Sequence, residues 1–335
     1  MDTSARFTSL AVDSQGNVHV SYAGGDSYVL KYAFRSNASG RWFTSEIDRN
    51  QQEFSTHLIL DTQGNPLICY TPRTMLKYAR FNGQRWLIQE IAPGGTKEYT
   101  CSLAIAPDGT PFISWYQTRS NDGSNYYHLR SATLQNGAWL ARTVDFDGEA
   151  GKWSSLVVDA KGIPSISYSL FPSGQLKLAQ WNGKEWETSF IDVLSVDLEK
   201  GVRGMGNSMC IDPQGKLHVS YYEEHELRYA EQQGDRWFIQ KVDQIAWLGG
   251  WVGYWSSLAL DHQGHPHVSY DDGGALKHAY WDGTRWHLQL VAMRGQDAYR
   301  YSSLGIAADD TIYVSYRDPE DGSLKVAVGH PTAKN

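Results

Sequence analysis

SSLALDHQGHPHVSYDDGGALKHAYWDGTRWHLQLV, residues 256–291, divides into four short apolar runs separated by turns. SSLALD and PHVSY alternate Leu, Val and Tyr with small residues, the pattern of strands packed on both faces. The turn between them, DHQG at residues 261–264, is a hairpin signal, and so is DGTR at residues 282–285 between LKHAYW and WHLQLV. We call the four runs strands A, B, C and D.

The phrase recurs as TSLAVDSQGNVHVSY from Thr8, THLILDTQGNPLICY from Thr56, CSLAIAPDGTPFISWY from Cys101, SSLVVDAKGIPSISY from Ser154, NSMCIDPQGKLHVSYY from Asn207 and SSLGIAADDTIYVSY from Ser302. The seven anchors, Leu10, Leu58, Leu103, Leu156, Met209, Leu258 and Leu304, lie 48, 45, 53, 53, 49 and 46 residues apart. A period of about 40–50 residues holding four strands is the mark of a propeller blade. No intervening segment has a helical period. The expected fold is all-β: a seven-bladed β-propeller of four-stranded antiparallel blades, one domain over residues 1–335, with units starting near residues 8, 56, 101, 154, 207, 256 and 302.

Six units carry a tryptophan at the start of strand D: Trp42, Trp86, Trp139, Trp186, Trp237 and Trp286. The seventh ends SLKVAVGHPTAKN and has none. Sixteen residues separate Trp42 from the next anchor, and only nine precede Leu10, so the N-terminus is too short to supply the strand. The last blade is expected to be three-stranded, unless the sequence is trimmed.

Over residues 8–328 the chain resembles seven-bladed propellers of bacterial type. Its D-x-Q-G turn is loosely similar to the Asp-box repeat of sialidases and related carbohydrate enzymes. That motif runs S-x-D-x-G-x-x-W, and no unit here has the Trp at that place. The WD40 and kelch signatures are absent. The resemblance implies the architecture; function has to be argued from the site.

The net charge of −7 argues against nucleic acid as the main partner. No apolar run is long enough to span a membrane. Met1 leads almost directly into patterned sequence, so no signal peptide is visible, and both a cytoplasmic protein and one secreted after signal removal fit. Cys69, Cys101 and Cys210 lack metal spacing and replace small or apolar repeat residues, which reads as buried free thiols. RDPEDGS and SNDGSN offer oxygen ligands without EF-hand spacing, and only His57 lies on an expected inner strand; no metal and no cofactor are expected. A basic residue recurs in strand C of every unit (Lys31, Lys77, Arg130, Lys177, Arg228, Lys277, Lys325), as a structural partner for the strand-A aspartates would.

The A–B and C–D turns are short and uniform, whereas the B–C loops and D–A links vary. Function is therefore expected on the B–C/D–A face around the central channel. Trp153, Trp247, Trp251 and Trp255 all fall in D–A links. Trp255, Phe7, Trp153 and Tyr301 hold equivalent positions just before strand A and form an aromatic collar. Trp251, with Trp247, either walls a ligand site or caps a blade junction. The remaining ligand-binding candidates on this face are Tyr116, Arg119, Arg203, His225, Asp271 and Arg317; the catalytic candidates are His57, Tyr222, Glu223 and Arg300.

A multivalent lectin would repeat one polar-aromatic set in every unit, whereas here the shared residues look structural and the loops differ. The preferred reading is one asymmetric site at the channel mouth for a carbohydrate-like or other small organic ligand. An enzyme there would be a lyase, using Arg with Tyr or His, or a hydrolase pairing Glu223 or Glu224 with Asp271 or Asp272. A glycan-binding lectin without catalysis and a protein-interaction scaffold, the latter through the 244–255 link, are the alternatives.

Overall fold

A computed structural model describes residues 4–25, 29–49, 55–72, 75–93, 101–119, 125–171, 173–192, 205–223, 225–244, 255–293 and 302–330, the side chains of Arg119, Asn125, Tyr126 and Met205 excepted. It is a seven-bladed β-propeller. Six sheets have four strands and one has three, each a meander with neighbouring strands consecutive in sequence. The inner strands are Arg6–Val12, Thr56–Leu60, Ser102–Ile105, Glu149–Val158, Met205–Ile211, Ser257–Leu260 and Ser303–Ile306. In blade 7 the last described strand is C, Leu324–Gly329. Each A–B turn that begins with aspartate is capped by it: the Asp261 carboxylate accepts the N–H groups of Gln263 and His265, and Gly264 adopts φ +81° to close the turn.

The recurrent polar letters build two rings around the channel. In one, the second residue of each S-S-L triplet accepts the anchor amide of the following blade. Ser9 takes Leu58 N–H, His57 takes Leu103, Ser102 takes Leu156 and Ser155 takes Met209, each at 2.9 Å. Ser208 takes Leu258 at 3.1 Å, Ser257 takes Leu304 at 3.0 Å, and Ser303 closes the circle on Leu10 at 2.9 Å. In the other ring, the strand-B serine pairs with the first residue of the next triplet. Ser21–Thr56, Ser114–Ser154, Ser167–Asn207, Ser220–Ser256, Ser269–Ser302 and Ser315–Thr8 lie 2.6–3.2 Å apart. These strand-B serines have no solvent exposure, so each hydroxyl needs its partner.

The seventh pair in that ring corrects the reading of the cysteines. Cys69 and Cys101 occupy the Ser–Ser positions between blades 2 and 3 and are joined by a disulfide. Cys210 is free, and burial pushes its thiol well up.

The strand-C basic residues are also reassigned. Four of the seven reach the aspartate at the end of strand D of the preceding blade, not the strand-A aspartates. Lys77 and Tyr70 meet Asp48, Lys177 and Tyr168 meet Asp145, Arg228 and Tyr221 meet Asp192, and Lys277 and Tyr270 meet Asp243. Strand D of blades 2 and 6 has Ala92 and Ala292 at that register. Blade 3 then has Trp115 in place of the tyrosine, and in blade 7 Lys325 turns to Asp318 of its own blade. The strand-A aspartates lie in the A–B turns, at the other end of the blade from these basic residues.

Candidate functional site

Where the inner strands enter the channel on the B–C/D–A face, residues from all seven blades enclose a cavity of about 150 Å³. Its wall is the two triplet positions, hence a girdle of hydroxyls with Asn207 and His57 set into it. Its rim is Phe7, Trp153 and Trp255. The aromatic collar is therefore formed by three of its four expected members; Tyr301 lies outside the described residues.

The rim has a backbone device that the sequence does not announce. The A–B register slips between Arg6 and Ser9, between Lys152 and Ser155, and between Met205 and Ser208. Phe7 (φ 54°), Trp153 (φ 52°) and Gly206 (φ 61°) sit in these bulges in the left-handed region. For Phe and Trp that conformation costs on the order of 1–2 kcal/mol. A bulge re-aims a side chain, and here it places the rings at the mouth. The next blade holds the bulges in place: Asn207 Nδ2–H donates to the Trp153 carbonyl at 2.7 Å, and Ser256 Oγ–H to the Gly206 carbonyl at 2.8 Å.

His57 is one of the ring members. Because its Nδ1 accepts the Leu103 N–H, the neutral tautomer carries its proton on Nε2. Burial lowers its pKa to about 4, so the ring is neutral over the physiological range. In this state it offers the cavity an N–H donor rather than a base.

The other described candidates lie outside this cavity. Tyr116 and Tyr127 stack at 6.3 Å between ring centroids. The Tyr116 hydroxyl is 3.5 Å from Glu149, whose carboxylate binds the buried Lys152 at 2.5 Å; Lys152 in turn sits over the Phe171 ring at 3.7 Å. This Lys152–Glu149 pair, next in sequence to the rim residue Trp153, was not singled out by the sequence; the signal was a glutamate and a lysine three residues apart in the strand-A entry, GEAGKWSS. Tyr222 bonds His225 at 3.2 Å across the blade-5 hairpin, with His225 at φ 68°. Glu223 beside them is buried, at 2% exposure, and not a solvated loop acid. Asp271 accepts the Gly273 N–H within its turn. Arg317 is partly buried at the end of strand B of blade 7. Arg203, Trp251 and Arg300, with Trp247, lie outside the described residues, and so does the Arg119 side chain.

A second and larger cavity, about 410 Å³, opens on the opposite face. It lies between blades 6 and 7, among His265, His267, His278, His287, Gln289 and Ile312. It is larger than the cavity on the B–C/D–A face, where function is expected. It forms where blade 7 has no described strand D to cover the flank of blade 6. Among the described residues no group of His, Cys, Asp and Glu is arranged to hold a metal ion, and no helix is long and apolar enough to cross a membrane.

No protein-family model matches the chain, and no curated protein matches it. Solved structures do. An ulvan lyase of a new polysaccharide lyase family, bound to -[GlcA(1-4)Rha3S]-, aligns with TM-score 0.60 at 14% identity over 98% of this chain and 94% of its own. The fucose-recognising lectin of Aleuria aurantia, a six-bladed β-propeller, aligns with TM-score 0.59 at 12% identity over 88% of this chain and 98% of its own. A protein of unknown function from Dyadobacter fermentans aligns with TM-score 0.58 at 12% identity over 86% and 93%. At these identities the likeness is one of fold. The class so defined is the β-propellers; within it, this chain is a seven-bladed member similar to both a lyase and a lectin.

Proposed function

We propose that the channel mouth is a single binding site for a carbohydrate-like ligand. The observation that carries this reading is the hydroxyl-walled cavity rimmed by Phe7, Trp153 and Trp255. Aromatic faces take the apolar face of a sugar ring, and hydroxyl, amide and imidazole N–H groups take its hydroxyls. The rim is asymmetric, since blade 2 has Ser55 and blade 5 Gly206 at the equivalent places. That asymmetry supports one ligand per chain rather than one per blade. A polysaccharide lyase and a fucose-recognising lectin among the similar structures support the same ligand class.

A catalytic reading rests on Tyr116, Glu149 and Lys152 beside the rim. A lyase acting on a uronate needs a cation for the carboxylate and a hydroxyl or imidazole to move the proton. Lys152 and Tyr116 are of those types, whereas His57, with its low pKa and its proton on Nε2, is better suited to orienting than to proton abstraction.

Calorimetric titration with neutral and uronate oligosaccharides tests the site, and ultraviolet absorbance of an unsaturated product tests the lyase reading. The expected result is saturation at one ligand per chain. Saturation at several equivalents, or none with any glycan tested, would overturn the single-site reading.

A further inference from the structure

Every link of the first channel ring has a hydrogen left over. A hydroxyl holds one donor hydrogen and two acceptor lone pairs. In six links a serine Oγ, from Ser9 round to Ser303, accepts the anchor amide of the next blade. Among the described residues, none of these six hydroxyls has an acceptor for its own hydrogen. In the seventh link His57 Nδ1 accepts the Leu103 N–H, and the Nε2–H it must then carry has no acceptor among them either. Asn207 adds one more. Its Oδ1 accepts from Ser167 and one Nδ2 hydrogen goes to the Trp153 carbonyl, which leaves the second.

All eight side chains line the channel-mouth cavity. Ser9, Ser102 and Asn207 are buried, at 4%, 5% and 8% exposure, so only the cavity can supply their hydrogens with acceptors. The donors are also strengthened. An N–H that donates into a hydroxyl oxygen or an imidazole nitrogen polarises that group and makes its own hydrogen a better donor. Seven such relays have their positive ends toward the channel. None of the described lining residues is Asp, Glu, Lys or Arg, so no fixed charge in the wall offsets them. A serine can still accept through its second lone pair, but the His57 Nε2–H and the Asn207 amide hydrogen can only donate.

The geometry points to an oxyanion site inside the channel mouth, where the ring donors take the oxygens of a carboxylate, sulfate or phosphate group, free or carried by a larger ligand. Such a group brings acceptors only, whereas a water or a sugar hydroxyl brings hydrogens that also need partners. Preorganised donors in a partly enclosed cavity hold negative charge without a cation. The cavity, about 150 Å³, is smaller than the ~300–1,000 Å³ of ordinary ligand pockets, so it takes one group of a ligand rather than the whole. The inference rests on the glycan reading only for the sugar-borne source, in which the sugar ring stacks on the aromatic rim and its acid group enters the ring of donors.

The test is calorimetric titration of the full chain, at low ionic strength and neutral pH, with sodium sulfate, sodium glucuronate and glucose. Glucuronate is expected to saturate at one per chain and to bind about tenfold or more tighter than glucose, because hydrogen bonds to an ionised acceptor are roughly twice as strong as neutral ones. Sulfate is expected to saturate at the same stoichiometry and to compete with glucuronate. Ser257→Asp keeps an acceptor for the Leu304 N–H but replaces a donor by a negative charge, and is expected to abolish binding of both anions. Ser257→Thr, which keeps the hydroxyl, is expected to retain it. Melting temperatures without ligand check that both variants fold, and the comparison of glucuronate with glucose on the unaltered chain needs no variant. Saturation by glucuronate alone assigns the anion to a sugar, and saturation by sulfate alone assigns a free ion and removes the glycan reading but not the ring. Equal affinities for glucuronate and glucose would overturn the oxyanion site and leave the glycan reading standing. Anion binding unchanged in folded Ser257→Asp would place the anion elsewhere and overturn it too, and no binding of any of the three would overturn both.

Discussion

His57 Nδ1 and the backbone N–H of Leu103 are 2.9 Å apart, closing the one link of a seven-membered ring that no serine supplies. The imidazole has been fitted into a place built for a hydroxyl.

The link has a measurable worth. His57→Ala leaves the Leu103 N–H without its acceptor and is expected to cost about 1–3 kcal/mol, seen as a lower denaturant midpoint. His57→Ser, which restores the hydroxyl used at the six other links, is expected to recover most of that loss. Equal midpoints for the Ala and Ser variants would remove the ring role.

The same residue gives a pH signature. Its folded pKa, about 4, is below the unfolded value of 6.5, so the unfolded state binds the proton first as pH falls. The neutral ring's contribution is complete above about pH 6.5 and is lost as pH drops from there toward 4. His278, also lowered to about 4 by burial beside His267, adds to the loss over the same window. Stability of His57→Ser is expected to fall less steeply than wild type between pH 6.5 and 4. Parallel profiles would contradict this.

Cys69–Cys101 closes a loop between residues 32 apart, for which chain entropy gives about 3–4 kcal/mol of stabilisation. Cys69→Ser/Cys101→Ser recreates the hydroxyl pair of the other boundaries and is expected to be more stable than Cys69→Ala/Cys101→Ala. Intact mass with and without reductant checks the bond, and melting temperatures check the order of the two variants.

Asp145 is the most enclosed of the strand-D aspartates. Burial alone would raise its pKa, but hydrogen bonds from Lys177 and Tyr168 and from the Asp147 N–H hold it below the usual range. Asp145→Ala leaves the buried Lys177 ammonium, at 4% exposure, with only the longer 3.7 Å contact to the exposed Asp147, and is expected to cost about 3–5 kcal/mol. Asp192→Ala leaves Arg228 more exposed and still paired with Glu226, so its loss is expected to be smaller. Chemical denaturation of the two variants decides it.

At the channel mouth, Trp255→Ala is expected to weaken glycan binding two- to tenfold, the worth of one stacking contact, with the fold retained. Trp153→Ala is expected to lose comparable affinity and to keep its left-handed backbone strain, since alanine also carries a Cβ. Unchanged affinity in both, measured on folded protein, would take the rim out of the site.

The repeat made the architecture legible because a blade is a local object. Four strands, two tight turns and a strand-D tryptophan all fall within one period, and a missing tryptophan announces a missing strand. What the letters hid was everything that crosses a blade boundary. The serines of VSY and SSL were readable as small residues, but their pairing required knowing which faces which. For the same reason two cysteines at equivalent ring positions read as isolated thiols, and Lys77 or Lys177 was matched to an aspartate in its own unit rather than to Asp48 or Asp145 in the neighbour. Trp153 and Trp255 were legible as rim residues from their place before strand A. The bulge that turns Trp153 inward was not, since a positive φ on tryptophan leaves no mark in composition. The cavity at His278 was the least legible of all, since its lining is divided between two units.

Blades 7 and 1 meet through Ser303–Leu10, Ser315–Thr8 and the Ala5 N–H on the Gly322 carbonyl at 2.8 Å, and among the described residues no strand is shared between first and last sheets. The circle is thus a split washer rather than a clasped belt. A pull applied at the two ends loads that seam first, and the blades peel away in order from it. Tension travelling inward from the first blade stops at the sulfur bridge between blades 2 and 3, the one boundary that cannot part without chemistry.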